Sequence, residues 1–270
     1  MFEPIQSENL TIYTSSLLKN QIPLVHGFSS RVGGYSKAPY QGLNMGLTSG
    51  DDVAAVIQNR AAFANALGIS AEQVVSGMQV HGTNIAYVTK KDAGKGFLDA
   101  ATALPDTDGL VTAERNIALM TLYADCVPIL FYDPKQQVIA VCHCGWRGTV
   151  SRMAAKTAIV MMDAYNCRAE QILAVIGPSI SQQHYEVNET VLMQFEKAFS
   201  FADQLIEPVD AAHGKVDLWK ANQLQLQEIG LLPAHIEVSG LCTYQYVDRF
   251  YSHRAEHGVT GRNAALLMLK

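Results

Sequence analysis

Two kinds of hydrophobic spacing alternate along the chain. Short runs of branched and aromatic residues, closed by glycine, proline or aspartate, mark strands at residues 23–28, 109–112, 117–123, 172–176, 235–238 and 264–269. Longer stretches repeat apolar residues at helical intervals. They predict helices at 53–68, where Asp51 and Asp52 suit the first turn and Gly68 the stop, and at 189–199. Two more are expected at 149–166, with Thr149 as its cap, and at 217–230, with Asp217 as its cap. The run 73–88 reads as a strand broken at Gly77 and at His81-Gly82, so His81 stands at a bend.

The densest pattern runs from Ala124 to Thr149. Apolar runs at 129–132 and 138–142 flank Asp133-Pro134-Lys135-Gln136-Gln137, a turn composition, and predict a buried hairpin. The strands at 109–112 and 117–123 lead into it, so the sheet around it is mixed or antiparallel. Because the two arms run in opposite directions, Asp125-Cys126 before the first and His143 to Gly148 after the second emerge at the same end. A thiol, an imidazole and the guanidinium of Arg147 converge there. The following helix presents its positive end to that turn, which favours an anion.

The apolar segments are evenly spread, with no repeat, low-complexity tract or linker, so one domain over 1–270 is expected. A composition of 49% hydrophobic and 17% charged residues is that of a soluble globular protein. The apolar runs fall far short of the roughly 20 residues that span a bilayer, and the first ten residues lack a signal pattern. A cytoplasmic location without a membrane partner is expected. Five cysteines, an odd number without a framework spacing, point to free thiols in a reducing compartment. A net charge of −5 with no basic cluster argues against nucleic acid and anionic membranes, so any anion must be caught locally.

Local capture has candidates. Residues 29–36 hold Arg31 beside Gly33-Gly34, and a loop with paired glycines brings backbone N–H groups close to an oxygen. For Cys126, His143 and His81 three chemistries stand open. Two imidazoles and a thiolate can hold zinc with a fourth position free, although the separations, 126 − 81 = 45 and 143 − 126 = 17 residues, match no compact finger. A Cys–His pair can act as a nucleophilic dyad without metal. All three can also be packing residues.

Several motifs taken together resemble one family. Ser29-Ser30-Arg31-Val32-Gly33-Gly34-Tyr35-Ser36, Leu43-Asn44-Met45-Gly46, Gln79-Val80-His81-Gly82, Ala124-Asp125-Cys126-Val127-Pro128, Val141-Cys142-His143-Cys144-Gly145-Trp146-Arg147-Gly148, Gly177-Pro178-Ser179-Ile180 and Asp217-Leu218-Trp219 occur in order. They resemble the YfiH-like family, also called the laccase-domain or multicopper polyphenol oxidase family. The resemblance implies an α/β fold, an α-β-β-α sandwich of about four layers with mixed sheets, related to CNF/YfiH-like cysteine hydrolases. It implies a metal held by His81, Cys126 and His143, zinc in the first instance and copper as the alternative. Relatives are described as purine nucleoside phosphorylases acting on adenosine, inosine and methylthioadenosine with phosphate, and as adenosine deaminases. Older descriptions make them copper polyphenol oxidases, and peptidoglycan-precursor editing and a non-enzymatic metal-binding module are further readings. The eight histidines include no His-x-His pair of the kind that supplies several copper centres. Arg31 and Arg147 are expected to hold phosphate, Asn44 to contact substrate, and Asp125, beside Cys126, to move a proton. Cys126 and Arg147 join Asp125 as the expected catalytic group. The implied partners are small molecules acting on a monomer. The arm Ser252-His253-Arg254-Ala255 departs from the more basic sequence of relatives.

Overall fold

The computed structural model describes residues 2–270. In chain order, β1 (Phe2–Ser7) and β2 (Leu10–Ser15) form a hairpin, followed by α1 (Ser16–Lys19), β3 (Leu24–Ser29) and α2 (Val53–Ala66). Then come β4 (Val74–Ser76), β5 (Ile85–Tyr87), β6 (Gly109–Thr112), β7 (Ala118–Tyr123), β8 (Val127–Asp133) and β9 (Val138–Cys144). The second half carries α3 (Trp146–Val150), α4 (Met153–Tyr165), β10 (Leu173–Ile176), β11 (Glu186–Asn188) and α5 (Glu189–Ala198). It closes with β12 (Ile206–Pro208), β13 (His213–Val216), α6 (Leu218–Glu228), β14 (Ile236–Val238) and β15 (Asn263–Leu269).

Two six-stranded mixed sheets face each other, ordered β1-β2-β3-β15-β7-β4 and β14-β10-β8-β9-β6-β5, with β11-β13-β12 as a small satellite. Strand period places the core. Along β15, Ala265, Leu267 and Leu269 turn inward to meet Leu130, Tyr132, Ile139 and Val141 of the second sheet. The alternate residues Ala264, Leu266 and Met268 pack outward with Met120 against Phe63 and Ala64 of α2. On the far side, Ile129, Phe131, Ala140 and Cys142 pack against Met153, Ala158 and Met161 of α4 and Leu218, Ala221 and Leu226 of α6. The layers therefore run helix, sheet, sheet, helix, the four-layer α/β sandwich that the resemblance implied.

The hairpin of β8 and β9 lies at the centre, and every residue of both strands is buried. Asp133 closes its turn by accepting from the backbone N–H groups of Lys135 (2.8 Å) and Gln136 (3.0 Å). Helix α2 starts where expected, with Asp52 accepting from Ala54 N at 2.9 Å, and α6 starts on Asp217, which accepts from Lys220 N at 2.9 Å.

Two local features differ from the sequence reading. The helix expected from Thr149 is two helices, because Arg152 takes a left-handed conformation (φ 61°) between α3 and α4. Thr149 lies inside α3, and its hydroxyl accepts from Asn222 Nδ2 at 3.1 Å. The hairpin of β1 and β2 has no counterpart in the sequence reading: β1 is a largely exposed edge strand containing Pro4, and such strands lack a strong alternation. No helix among the described residues is long and apolar enough to cross a membrane.

Candidate active site

The hairpin register sets the first two donors. Pro128 pairs with His143 and Val127 with Cys144, so Cys126, one residue before β8, comes beside Gly145. A Cβ at Gly145 would sit 3.0 Å from Cys126 Sγ, so the glycine leaves room for the thiol. The third donor arrives from the turn after β4, where His81 holds a left-handed backbone (φ 61°). Ligand atoms of His81, Cys126 and His143 all lie within 4.8 Å of one another, and the imidazole rings meet edge-on at 4.9 Å.

One carboxylate supports both histidines, His143 through its imidazole and His81 through its backbone. Asp108 Oδ1 lies 2.9 Å from His143 Nδ1, and the two Asp108 oxygens accept from the backbone N–H groups of Val80 (3.1 Å), His81 (3.1 Å) and Gly82 (2.8 Å). Those bonds offset the cost of the left-handed turn at His81. With Nδ1 facing a carboxylate, His143 turns Nε2 toward the other donors. Burial opposes charge on His143, but the Cys126 sulfur and the Asp108 carboxylate outweigh it and push the imidazole up to about 10. His81 shifts the opposite way, lowered by burial and then by the His143 charge. The cluster thus concentrates negative potential on one of its two imidazoles, where a cation can stand in for a proton. Two imidazoles and a thiol, one imidazole already fixed from behind, fit a borderline divalent metal. His81 is exposed, Cys126 half-buried and His143 buried, so the cluster opens on one side.

The open side faces a cavity of about 590 Å³, within the ~300–1,000 Å³ range of small-molecule sites. Arg147, at the start of α3, stacks over Trp146 at 4.4 Å and has no ion-pair partner among the described residues. Arg254 lies over Tyr185 at 5.3 Å and donates to the Glu186 carbonyl at 2.9 Å. Arg262 donates through Nη1 to the carbonyls of Thr260 (3.0 Å) and Gly261 (2.9 Å). Burial lowers the Arg262 pKa, while Cys126 and Asp125 pull it back up. Burial, and then Cys126, raises the Tyr185 phenol, which stays a hydrogen-bond donor. These three arginines, together with the buried Arg60, give the cavity a cationic lining in a chain of net charge −5.

The residues expected from the sequence fall into two groups. His81, Cys126, His143, Arg147 and Asp125 line the cavity, whereas Arg31 and Asn44 do not. Arg31 is held by Glu256 at 3.0 Å and by the Val247 carbonyl at 3.0 Å, away from the cavity. Asn44 is fully buried, and its Oδ1 accepts from Gly46 N (2.9 Å) and Arg262 N (2.8 Å). Asp125 has both oxygens engaged, by the Thr243 hydroxyl at 2.6 Å and by Arg254 N at 2.7 Å. The carboxylate expected to move a proton thus lies in the cavity wall and also anchors the C-terminal arm. The paired glycines near Arg31 serve close packing rather than an oxygen cradle: a Cβ at Gly34 would lie 2.6 Å from the Leu43 backbone. The long helix expected to hold an anion at its start is replaced there by α3, which begins at Trp146, runs through Gly148 and has only five residues.

Asp108, Arg254, Arg262 and Tyr185 enter no sequence reading of the site. Asp108 has a usable signal, an acidic residue at the entry of a strand that pairs with the histidine-bearing one, with Gly109 opposite Cys142. Arg262 has none, because its place depends on Asn44, 218 residues away.

A sequence model of the family described as multi-copper polyphenol oxidoreductase laccase matches residues 25–270. The chain is 36% identical over 252 residues to a protein of Bacillus subtilis strain 168 named purine nucleoside phosphorylase YlmD, across 93% of this chain and 91% of that one. Its fold is similar to that of the Bacillus licheniformis hypothetical protein YfiH, with a TM-score of 0.94 and 31% identity over 100% of this chain and 99% of the other. YlmD from Geobacillus stearothermophilus is similar to the same degree, with a TM-score of 0.94 and 34% identity over 100% and 98%.

Proposed function

The chain belongs to the multi-copper polyphenol oxidoreductase laccase family, and from that premise we propose that it is a purine nucleoside phosphorylase that also deaminates adenosine. Its substrates in this reading are adenosine, inosine and methylthioadenosine, with phosphate as cosubstrate. The observation that carries the reading is the pairing, in one cavity, of a His-Cys-His donor set with cationic side chains that lack a carboxylate partner among the described residues.

Phosphorolysis joins a phosphate oxygen to C1′ of the ribose and releases the purine. Arg147 and Arg262 suit the phosphate, because a guanidinium offers a planar fork to its oxygens and stays charged. Arg254 adds positive potential. The Tyr185 hydroxyl and the Trp146 face supply a donor and an apolar surface for the nucleoside. Asp125 holds the Arg254 backbone in place. When bound by His81, Cys126 and His143, zinc supplies Lewis acidity beside a position open to water or substrate; copper is the alternative occupant. Deamination needs water in place of phosphate and converts adenosine to inosine and ammonia. A monomer is the working unit in this reading, because one chain supplies both the donor set and the cationic lining.

The deciding experiment incubates metal-quantified protein with adenosine, with and without phosphate, and identifies the products. Adenine with ribose 1-phosphate, formed only when phosphate is present, is the expected phosphorolysis; inosine without phosphate is the expected deamination. Oxygen uptake on a phenol by copper-loaded protein, with neither adenine nor inosine from adenosine, would overturn the reading in favour of an oxidase.

A further inference from the structure

Between Tyr251 and Arg262 the chain forms no helix or strand, yet this strap delivers His253, Arg254 and Arg262 to the cavity. Its ends are pinned by Asn263, whose Oδ1 accepts from Tyr251 N and whose Nδ2 donates to the Tyr251 carbonyl, both at 3.0 Å. Its middle is gathered by Glu256. One oxygen accepts from Ser252 N (3.2 Å) and the Thr260 hydroxyl (2.5 Å), and the other accepts from Arg31 Nη1 at 3.0 Å.

Arg31 fastens that carboxylate to the rest of the molecule. Its guanidinium also donates to the Val247 carbonyl and stacks over the Tyr251 ring at 4.4 Å, while its backbone N–H donates to the Arg249 carbonyl at 2.7 Å. The Tyr251 hydroxyl donates in turn to the carbonyls of Tyr40 (2.9 Å) and Gln41 (3.1 Å). Gly42 completes the seam, since a Cβ there would fall 2.0 Å from the Arg31 carbonyl oxygen. The side chains of Arg31 and Glu256 are only 17% and 21% exposed, so solvent screens the pair less than a surface contact.

We propose that Arg31 and Glu256 form a latch that positions Arg254 and Arg262 for an anionic cosubstrate. The inference rests on the phosphorolysis reading for the identity of that anion. Arg254 and Arg262 lie on either side of Glu256 in sequence, so loosening this one carboxylate releases the flanking contacts at Ser252 and Thr260 and leaves each arginine's backbone held by a single side chain, Asp125 or Asn44. Neither latch residue lines the cavity, so the pair acts through the strap.

The test measures Arg31→Lys, Arg31→Gln and Glu256→Gln in two ways: the phosphate dependence of phosphorolysis and, without turnover, phosphate binding by calorimetry on the metal-loaded protein. Arg31→Gln and Glu256→Gln should each raise the phosphate KM and the calorimetric Kd about tenfold, with metal content and nucleoside KM within about twofold of wild type. Arg31→Lys keeps the charge and should fall between. A phosphate KM and Kd unchanged in both glutamine variants overturns the latch, as does a parallel loss of metal, nucleoside affinity and phosphate affinity in all three. Wild-type protein that binds phosphate without phosphorolysing any nucleoside refutes the functional reading alone, and the calorimetric arm still decides the latch. Wild-type protein that binds no phosphate overturns both.

Discussion

The two halves of the cavity are built in opposite ways. The metal-donor half stands on the ends of β8 and β9, strands buried along their whole length, and its third donor is tied to them through Asp108. The cationic half takes Arg60 and Arg147 from the helices α2 and α3, but hangs Arg254 and Arg262 on a strap without regular structure, fixed by side chains bonded to backbone: Asn44 to Arg262, Asp125 to Arg254, Glu256 to Ser252. A donor set must hold its geometry before the ion arrives, which a buried hairpin supplies. An anion-binding wall needs charge and reach, and a pinned loop supplies those while leaving freedom to adjust.

The largest effect should come from removing a donor. Cys126→Ala, His81→Ala and His143→Ala should each abolish stoichiometric metal in elemental analysis, whereas Cys142→Ala and Cys144→Ala should retain it. The latter two thiols lie 3.4 Å apart in the core beneath α4, on the strand face opposite His143. Full metal retention in Cys126→Ala would return that thiol to the role of a metal-free nucleophile.

Next in size is Asp108→Asn, which keeps the shape of the support and removes its charge. Metal affinity should fall about 10- to 100-fold in a chelator competition, with the phosphate response of the loaded protein unaltered. An equal loss on both sides would erase the distinction between the halves.

Arg147→Lys and Arg262→Lys probe the other half. Each keeps a positive charge and loses the paired contacts, so half-saturation by phosphate should rise about tenfold while metal content stays constant. A change in metal content would show that the cationic wall also supports the donors.

The smallest effect belongs to the scaffold shared by both halves. His26 on β3 accepts from Ser15 N at 2.9 Å through Nε2 and must be neutral to do so; burial lowers it to about 4, against a weaker upward pull from Glu237. The folded protein therefore binds fewer protons than the unfolded chain between pH 6.5 and 4, so this contribution is complete above about 6.5 and is lost as the pH falls toward 4. Lowering the pH from about 7.5 to about 6 should cost about 1 kcal/mol in denaturant melts, and His26→Gln should flatten that slope. A slope unchanged in His26→Gln would assign the acid sensitivity elsewhere.

The same contrast explains what is legible in the sequence. The hairpin of β8 and β9, α2 and α6 follow from apolar period and from the caps Asp52 and Asp217, which are local signals. Cys126 and His143 can be brought together because a hairpin fixes the direction of its own ends. Arg262 cannot, since its position is set by Asn44 across the whole chain, and the kink at Arg152 is a left-handed residue with no glycine to mark it. Arg31 stands out by its motif, but its partner Glu256 lies 225 residues away, so the motif does not show that it faces the strap rather than the substrate.

The five thiols differ in one respect that makes the protein its own reporter. Cys142, Cys144, Cys167 and Cys242 are buried and Cys126 alone is half-exposed. A chromogenic disulfide or an alkylating dye should therefore label one cysteine in the native state, and an occupied donor set should protect it. Labelling rate then measures metal occupancy in crude preparations without an added tag, and mass spectrometry of the labelled peptide identifies the site.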